Sequence, residues 1–332
     1  MSIWWFAFGY FACYVPYSAL VKALSSGLLP GVPAQHELAL LPWSNVAAMV
    51  TAMTFITAAG WWRFAGRRVV FGRSLPWPSK GTALSGLGSS AVIVTTTLAY
   101  TFDGVSIVFI MLLLRGGVLV LAPLVDGLAG RRVRVTSWIA LGLSLGSLVV
   151  AFVGSGGGAA VSGLVLLDVA VYLAAYFVRL RVMSHQAKTD DPDVARRYFV
   201  EEQLVATPAV VLALVLAAAL GPASVAAPLR AGFAGDAGAL AVGLTVLVGV
   251  MSQGTGIFGG LILLDRRENS FCVPVNRASS MLAGLVASLV VAAIAGRAGP
   301  PASEYVGAAL VIAAILVLSV PGVVTARRRR AA

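Results

Sequence analysis

The chain has few charged side chains and few residues of the kinds that form metal or redox sites. Only 11% of its 332 residues are charged, and there are two cysteines and two histidines. Cys13 and Cys272 both fall in apolar runs, and His36 and His185 are far apart in the sequence. These numbers exclude a disulfide framework and a Cys- or His-based metal site, so we expect no cofactor. They also leave too little polar surface to solvate a soluble protein of this size.

Two sequence patterns that carry chemistry are also missing. No glycine-rich loop is followed by Lys-Ser or Lys-Thr, which excludes the phosphate-binding loop of an ATP-driven pump. No Ser, His and Asp are arranged as a membrane hydrolase requires, so the sequence does not predict an enzyme. The net charge of +11 would favour nucleic acid in a soluble chain. Here the basic residues lie between apolar runs, so we expect membrane lipids as partners and no nucleic acid.

Long apolar runs are abundant. Hydrophobic residues make up 59% of the chain, and its mean hydropathy is +0.92. A helix needs about 20 apolar residues to cross a hydrocarbon core of about 30 Å. The sequence therefore predicts an all-α polytopic membrane protein with ten transmembrane helices. The ten predicted spans are residues 3–28, 44–62, 82–101, 104–125, 135–153, 161–183, 198–220, 237–263, 270–295 and 303–324.

Basic residues are concentrated in the connectors that this prediction places on one side of the membrane. They are Arg63, Arg67, Arg68, Arg73, Lys80, Arg131, Arg132, Arg134, Lys188, Arg196, Arg197, Arg266, Arg267 and the tail from Arg327 to Arg330. The other connectors hold only Arg230 and Arg297. Such an excess marks the cytoplasmic side. We therefore expect a multi-pass protein of the plasma (inner) membrane with both termini in the cytoplasm.

A weak internal repeat appears at an offset of 162 residues. Asp103 maps onto Asp265, Arg115 onto Arg277, Ser90 onto Ser252, and Phe11-Ala12-Cys13-Tyr14 onto Leu173-Ala174-Ala175-Tyr176. Five spans per half is an odd number, so the second half would cross the membrane in the opposite direction to the first. The sequence thus predicts two inverted five-helix repeats, residues 1–155 and 156–332, an arrangement that places substrate between the halves in many secondary transporters.

Four ionisable residues stand out well inside the predicted spans, where a charge costs at least about 2.5 kcal/mol and usually faces a cavity or a partner. Arg115 and Arg277 are repeat mates, and a planar guanidinium suits phosphate or carboxylate. We predict that both bind substrate, although either one alternatively only locks two helices together. Lys22 binds substrate or extends to the interface. Asp168 either couples transport to protons or forms a salt bridge with Lys22.

Uncharged polar residues complete the predicted substrate site. Tyr14 and Tyr176 are repeat mates that line a substrate path or only pack. Asn276 precedes Arg277, and Gln253 lies in a glycine-rich stretch, 252–260. That stretch either lines a cavity or forms a Gly256/Gly260 packing face.

Charged residues near the span ends have simpler expected roles. Glu201 and Glu202 are spaced to pair with Arg196 and Arg197 on a helix. Arg179, together with Arg181, is expected to extend its guanidinium to the interface.

One segment resembles a known family. Within 106–150, the stretch MLLLRGGVLVLAPLVDGLAGRRVRVTSWIALGLSLGSLVV joins a Leu-Arg-Gly to a paired Arg-Arg and a Trp. It resembles the drug/metabolite transporter superfamily, either its EamA-like members or the branch with nucleotide-sugar transporters and proteins similar to the chloroquine-resistance transporter. EamA-type members end the fourth span in Leu-Gly-Glu, whereas this chain has Ala129-Gly130-Arg131. The resemblance implies ATP-independent secondary transport by alternating access, and Arg115 matches the family's fourth-span arginine.

Three functions follow as hypotheses. The first is a carrier of a small anionic or polar metabolite, with charge bound by Arg115 and Arg277 and the remainder oriented by Lys22, Tyr14 and Gln253. The second is an exporter of drugs or amphipathic compounds, or a flippase for lipid-linked sugars. The third is a membrane scaffold that transports nothing.

Overall fold

The computed structural model describes residues 2–98, 107–154, 163–296 and 302–331. These residues form eleven α-helices, two short 3-10 helices and one β-hairpin. The α-helices are α1 Ile3–Ser25, α2 Leu41–Ala58, α3 Lys80–Leu98, α4 Ile107–Leu128, α5 Val135–Gly154, α6 Gly163–Gln186, α7 Pro192–Leu220, α8 Ala223–Ala234, α9 Ala239–Leu263, α10 Asn269–Ala295 and α11 Ala302–Ala331. The 3-10 helices are Glu37–Leu40 and Trp61–Arg63, and the hairpin strands are β1 Arg67–Val70 and β2 Arg73–Pro76.

The predicted all-α class is confirmed, since each of the ten predicted spans coincides with a long helix. Within the described residues, five helical stretches are long and apolar enough to cross a membrane. They are Glu37–Ala58, Gly163–Gln186, Pro192–Leu220, Ala239–Leu263 and Asn269–Ala295. Val135–Val150 and Ala302–Leu318 are apolar but shorter. That all ten helices cross a membrane stays a prediction.

Two elements were not predicted from the sequence, which placed both in connectors. The hairpin turns at Phe71 and Gly72, whose φ angles of 48° and 73° are those of a tight hairpin turn. Arg67 pairs with Pro76, and Val70 pairs with Arg73. The other element is α8, which ends at Gly235 with φ 74° and is too short to cross a bilayer.

The helices pack in a bundle in which distant parts of the chain are neighbours. α1 lies against α9 and α10, whereas α6 lies against α3 and α4. α2 packs on α9 and α7, and α7 in turn packs on α3. α4 contacts α10, and α5 contacts α11. Residues of α1 and α4 thus share the interior with residues of α6 and α10.

Glycines let α1 approach α9 closely. A Cβ on Gly9 would lie 2.6 Å from the ring of Phe258, and one on Gly254 would lie 2.6 Å from Sγ of Cys13. A Cβ on Gly259 would lie 2.9 Å from the ring of Tyr10. Because real Cβ contacts are not this short, these sites need glycine for the two helices to touch. This contact fixes the face of α1 that carries Tyr10 and Tyr14.

Candidate functional site

A cavity of about 340 Å³ lies inside the bundle. We call it the central cavity, and α1, α3, α4, α6, α7, α9 and α10 all contribute to its wall. Among its described lining residues, the charged ones are Arg115, Arg179 and Arg277, and none is acidic. Tyr14, Tyr176, Gln253 and Asn276 also line it. The structure therefore brings together six of the residues that the sequence suggested for substrate binding.

Arg277 of α10 is held tightly by a tyrosine of α6. Its Nη2 donates a 2.7 Å hydrogen bond to the hydroxyl of Tyr176, which is buried. The guanidinium carbon also lies 5.3 Å from the centre of the Tyr176 ring. Nε of Arg277 is buried and has no hydrogen-bond partner among the described residues. A buried donor without a partner is costly, so this arginine has a donor available for a further acceptor.

Arg115 of α4 makes the matching contact with α1. Its Nη2 donates a longer bond, 3.3 Å, to the hydroxyl of Tyr14. In both pairs the arginine follows its tyrosine by 101 residues. Tyr14 is half-buried. The two pairs thus consist of the same residue types, but the hydrogen bond of Arg277 is shorter than that of Arg115.

A second tyrosine supports each pair from one helical turn earlier. Tyr10 stacks on Tyr14, with ring centres 5.5 Å apart and 20° between the planes. Tyr172 contacts Tyr176 at 5.2 Å with a 48° tilt. Both supporting tyrosines are buried and line the central cavity. Tyr10 and Tyr172 were not predicted as site residues, although their spacing of four residues from Tyr14 and Tyr176 places them on the same helix faces.

The prediction for Arg179, the third arginine of the cavity wall, is wrong. Arg179 was expected to extend to the interface, but its Nε lies 2.8 Å from Oε1 of Glu202. Ser85 and Ser89 donate to the same carboxylate oxygen at 2.9 and 2.8 Å. Burying a carboxylate requires this kind of compensation. Glu202 therefore faces α3 and α6 and does not pair with the basic residues at the start of α7, as had been expected.

The pairing prediction holds for the neighbouring glutamate. Glu201 accepts a 2.7 Å bond from Nε of Arg197. It also accepts from the backbone N–H groups of Gly66 and Ser79, at 2.9 Å each, and from Thr82 at 2.7 Å. Glu201 thereby fixes the hairpin to α7. We call the end of the bundle that carries this hairpin the hairpin end.

Part of the glycine-rich stretch of α9 lines a cavity, as one of the two alternatives expected, and the glycine of this stretch that meets α1 most closely is outside the expected Gly256/Gly260 face. Gly256 and Gly260 line the central cavity, while Gly254 packs against α1. Nε2 of Gln253 donates a 3.3 Å bond to Oε1 of Gln203 on α7. The two amides therefore hold α7 and α9 together at the cavity wall.

A larger cavity, about 590 Å³, lies along α10 between α1 and the pair α5 and α11. We call it the side cavity. Tyr14 and Arg115 line this cavity as well as the central one. Lys22 lines only the side cavity, and so does Glu304 in the first turn of α11. Lys22 thus lies near the predicted site but not on the central cavity.

Asp168 is separate from both cavities. It is buried in α6, and within the part of the chain that the structure describes its Oδ2 has no hydrogen-bond partner. It is not among the described residues that line either cavity. No ion pair joins it to Lys22, so the expected salt bridge is absent from the structure. A role in proton coupling stays a prediction.

Polar contacts join the helices at the hairpin end. The contact made by Asp126 was not predicted from the sequence. Asp126 of α4 is fully buried. Its Oδ1 accepts from the backbone N–H and the amide of Asn269 at 2.9 and 2.8 Å, and its Oδ2 accepts from the backbone N–H and the hydroxyl of Ser270 at 2.7 Å each. A carboxylate at a helix N-terminus is stabilised by the free N–H groups and the helix dipole. Asp126 therefore ties the end of α4 to the start of α10.

Two basic residues satisfy backbone carbonyls beside this contact. Arg131 donates to the carbonyls of Ser184 and Lys188 at 3.3 and 3.1 Å. Nζ of Lys188 donates to the carbonyls of Asp265 and Arg267 at 3.1 and 2.7 Å. These bonds join the ends of α4, α6 and α9. From the sequence, both residues indicate only the orientation of the chain in the membrane.

No protein family matches the sequence, and no curated protein matches it significantly. Twenty-seven chains of solved structures match the fold. One of them, described only as "Crystal structure of protein", has a TM-score of 0.55 and 16% sequence identity. The match covers 95% of this chain and 96% of that chain. At this identity the likeness shows the fold alone, and it extends over nearly the whole chain.

Proposed function

We propose that this protein is a secondary transporter that moves a small anionic or polar metabolite across the plasma membrane by alternating access, without ATP. Its ten long helices form two inverted halves, residues 1–155 and 156–332. The observation that carries the proposal is the pair of Arg–Tyr contacts on the wall of the central cavity.

The packing pattern supports an inverted repeat. The offset of 162 residues relates α1 to α6, α3 to α9, and α4 to α10. Exchanging these partners turns the contact of α1 with α9 and α10 into the contact of α6 with α3 and α4, and both are present. The Arg115–Tyr14 bond turns into the Arg277–Tyr176 bond in the same way. Asp103, the proposed mate of Asp265, lies outside the described residues.

The charge on the cavity wall supports an anionic or polar cargo. Glu202 neutralises Arg179, whereas the contacts that the structure gives for Arg115 and Arg277 in this cavity are with neutral tyrosine hydroxyls. Guanidinium groups on a cavity wall that has no carboxylate among its described lining residues favour a ligand that carries negative charge. Gln253 and Asn276 add neutral donors and acceptors for the rest of the ligand.

The difference between the two ends of the bundle supports alternating access. At the hairpin end, Asp126, Arg131 and Lys188 join the ends of α4, α6, α9 and α10, while the side cavity reaches from the Arg115–Tyr14 pair to Lys22 and Glu304 near the opposite end. Many of the basic connector residues belong to the hairpin end. By the charge bias of cytoplasmic connectors, the hairpin end is cytoplasmic. A cavity of about 430 Å³ lies at this end between α3, α6 and α7, apart from the contacts that join α4, α6, α9 and α10.

The resemblance of the Leu-Arg-Gly segment to the drug/metabolite transporter superfamily agrees with this function. Arg115, the residue that carries the resemblance, lies on the wall of both cavities. Membership of the family is part of the proposal.

Uptake into proteoliposomes tests the proposal. The protein is reconstituted, and uptake is measured for radiolabelled sugar phosphates, nucleotide sugars and organic acids, after a thermal-shift screen with the same compounds. A ligand that binds only the folded state raises the melting temperature. We expect an anionic hit whose uptake falls at least about tenfold in Arg115→Ala and in Arg277→Ala, the effect of one lost charge-assisted hydrogen bond.

Arg73→Ala is the matched control, because it removes the same charge from an exposed position on the hairpin. It should transport like the wild type. Hits confined to hydrophobic cations would favour the amphipath exporter. Uptake that is unchanged in both cavity variants would refute the proposed site.

A further inference from the structure

The tip of the β-hairpin exposes an aromatic side chain in a turn that does not suit it. Phe71 has φ 48°, and within the described residues it is the only non-glycine residue with a positive φ. Two-residue hairpin turns with positive φ favour Asn, Asp or Gly at this position. The Phe71 side chain is also fully exposed, so it adds nothing to the packing of the chain. A bulky residue with a backbone cost and no burial indicates a contact with another molecule.

The rest of the hairpin combines exposed apolar side chains with basic ones. Val69 and Leu75 are exposed, and all three arginines of the two strands are exposed as well. The connector that contains the hairpin, residues 59–81, has five basic residues and no acidic one. Basic and apolar side chains on one small surface fit an anionic layer with an apolar layer behind it, which is what a bilayer with anionic lipids provides.

The strand register places two of the arginines on one face. Arg68 pairs with Leu75, and Arg73 pairs with Val70, and residues that pair across two strands lie on the same face. The guanidinium of Arg68 lies 5.3 Å from the centre of the ring of Trp77, which is exposed too. This face therefore carries two guanidinium groups, which suit the phosphate of a lipid headgroup, together with exposed apolar side chains.

The base of the hairpin is fixed to the side of the bundle and not to its end. Glu201, which binds the N–H groups of Gly66 and Ser79 at this base, is the tenth residue of α7. At 1.5 Å per residue the base lies about 14 Å from the start of α7. α7 carries three charged residues before Glu201 and none after Gln203. Because a spanning helix changes from charged to apolar at the bilayer interface, the hairpin base lies at the level of the headgroups.

The chain before the hairpin indicates the same level. Trp61 and Trp62 follow the end of α2 closely, and tryptophan is typical of the membrane–water interface. A strand of four residues spans about 13 Å, so Phe71 stays within reach of the lipids that surround the bundle.

We propose that the hairpin is a membrane-docking element. Its arginines bind the headgroups of anionic phospholipids, and Phe71 inserts at the boundary between headgroups and acyl chains. The inference does not rest on the proposed transport function, because no hairpin residue is among the described lining residues of the central cavity or the side cavity. Through Glu201, docking of the hairpin would tie the positions of α3 and α7 to the lipid surface.

Spin-label depth measurements test the docking. A label is attached at Ser74→Cys, an exposed position near the tip, in the full-length chain with Cys13→Ala and Cys272→Ala. Nanodiscs contain phosphatidylcholine alone or a mixture of phosphatidylcholine and phosphatidylglycerol. We expect the label to lie at interface depth in the mixed nanodiscs and closer to water in the neutral ones. A label at Thr189→Cys, in the exposed connector between α6 and α7, should report water in both.

Phe71→Asn separates docking from folding. Asn suits the turn better than Phe, so the hairpin should form and the melting temperature should not fall. The label at Ser74→Cys should nevertheless move toward water in the mixed nanodiscs, because the inserted ring is lost. Phe71→Leu, which keeps an apolar tip, should leave the label near its wild-type depth.

Arg73→Gln tests the role of charge. The amount of phosphatidylglycerol needed for half of the depth change should rise about fivefold, the equivalent of about 1 kcal/mol per basic residue near the membrane surface. Arg132→Gln is the matched control, because it removes the same charge from an exposed position in the connector between α4 and α5. It should leave this amount unchanged.

The possible outcomes decide the proposal without reference to uptake. A label at Ser74→Cys that is as accessible to water as the label at Thr189→Cys in both kinds of nanodisc would overturn it, and would point to a protein partner for the hairpin instead. Equal depth in neutral and mixed nanodiscs would overturn the role of anionic lipid, and an unchanged depth in Phe71→Asn would overturn the insertion of the ring. Loss of the transport proposal would leave all three measurements as they are.

Discussion

The two Arg–Tyr pairs of the central cavity have the same composition and the same separation in sequence, but they differ in state. Tyr176 is buried and bonded to Arg277 at 2.7 Å, while Tyr14 is half-buried and bonded to Arg115 at 3.3 Å. Arg115 faces two cavities, and Arg277 lines only the central one of these. Residue identity does not explain this difference. The surroundings differ, because Arg115 and Tyr14 lie where the central and side cavities meet, whereas Arg277 and Tyr176 line only the central one of these.

This comparison gives the asymmetry a mechanistic meaning under the proposed function. In a transporter with inverted halves, the opposite state would exchange the two environments. Arg277 would then hold its tyrosine loosely and face a cavity at the hairpin end, and Arg115 would hold Tyr14 tightly.

The largest effect is expected at Arg179. Only the second half has an arginine at this place, since the related position in the first half is Tyr17. Arg179→Ala would leave the buried Glu202 without its counter-charge, which costs about 3–5 kcal/mol in free energy of unfolding. Chemical denaturation in detergent measures this loss. The double variant Arg179→Met/Glu202→Leu should recover most of it, since an apolar pair of similar volume often replaces a buried ion pair. A single variant as stable as the wild type would show that the ion pair does not stabilise the second half.

The next largest effect is expected when the planar guanidinium of Arg277 or Arg115 is replaced by the ammonium of lysine. Arg277→Lys keeps the charge but loses the planar donors, and here one donor is used by Tyr176. We expect uptake of the anionic cargo to fall about tenfold or more, the effect of one charge-assisted hydrogen bond. Arg115→Lys should reduce uptake less, because its bond to Tyr14 is longer. Equal losses of uptake in the two lysine variants would mean that the difference in hydrogen-bond length does not affect transport.

A third test uses a native cysteine as a reporter of the hairpin end. Cys272 is buried beside the contact of Asp126 with α10, while Cys13 on α1 is half-buried. Asp126→Ala removes four accepted hydrogen bonds, and we expect modification of Cys272 by a maleimide to become severalfold faster. Ser288→Ala, at the related position in the second half, should leave this rate unchanged. Mass spectrometry of both cysteines after timed labelling measures it, and an unchanged rate in the aspartate variant would show that Asp126 does not restrict access to Cys272.

The sequence predicted the helices well, because runs of about 20 apolar residues are a strong and local signal. It also selected Arg115, Arg277, Tyr14 and Tyr176, since charges within such runs are rare and the 162-residue offset related them. The partner of each arginine was not predictable in the same way. Each lies 101 residues away, and only the packing of α1 near α4 and of α6 near α10 brings the groups together.

The failures at Arg179, Glu202 and Asp126 have a common physical cause. Local spacing suggested that Glu202 pairs with Arg196 or Arg197 on its own helix, but on α7 Glu202 faces inward and Glu201 faces the hairpin. Asp126 lies near the end of a span, where a charge needs no special explanation in sequence. Its role depends on the start of α10, 143 residues later. Helix rotation and long-range contacts decide these cases, and neither is encoded in a local pattern.

The smallest effect tests the comparison most directly. Tyr176→Phe and Tyr14→Phe each remove one hydroxyl and keep the ring that packs beside its tyrosine neighbour. Hydrogen bonds between membrane helices contribute about 0.6 kcal/mol on average and at most about 1.7 kcal/mol. Denaturation of each variant measures the loss in free energy of unfolding. This loss should be near the upper value for the short, buried bond to Arg277, and near or below the average for the longer bond to Arg115.

If adding a bound cargo reverses the order, the ligand-bound state holds Tyr14 more tightly than Tyr176, as an exchange of environments between the halves requires. If the two losses are equal with and without cargo, the pairs are static helix contacts, and the asymmetry of the cavities has another origin.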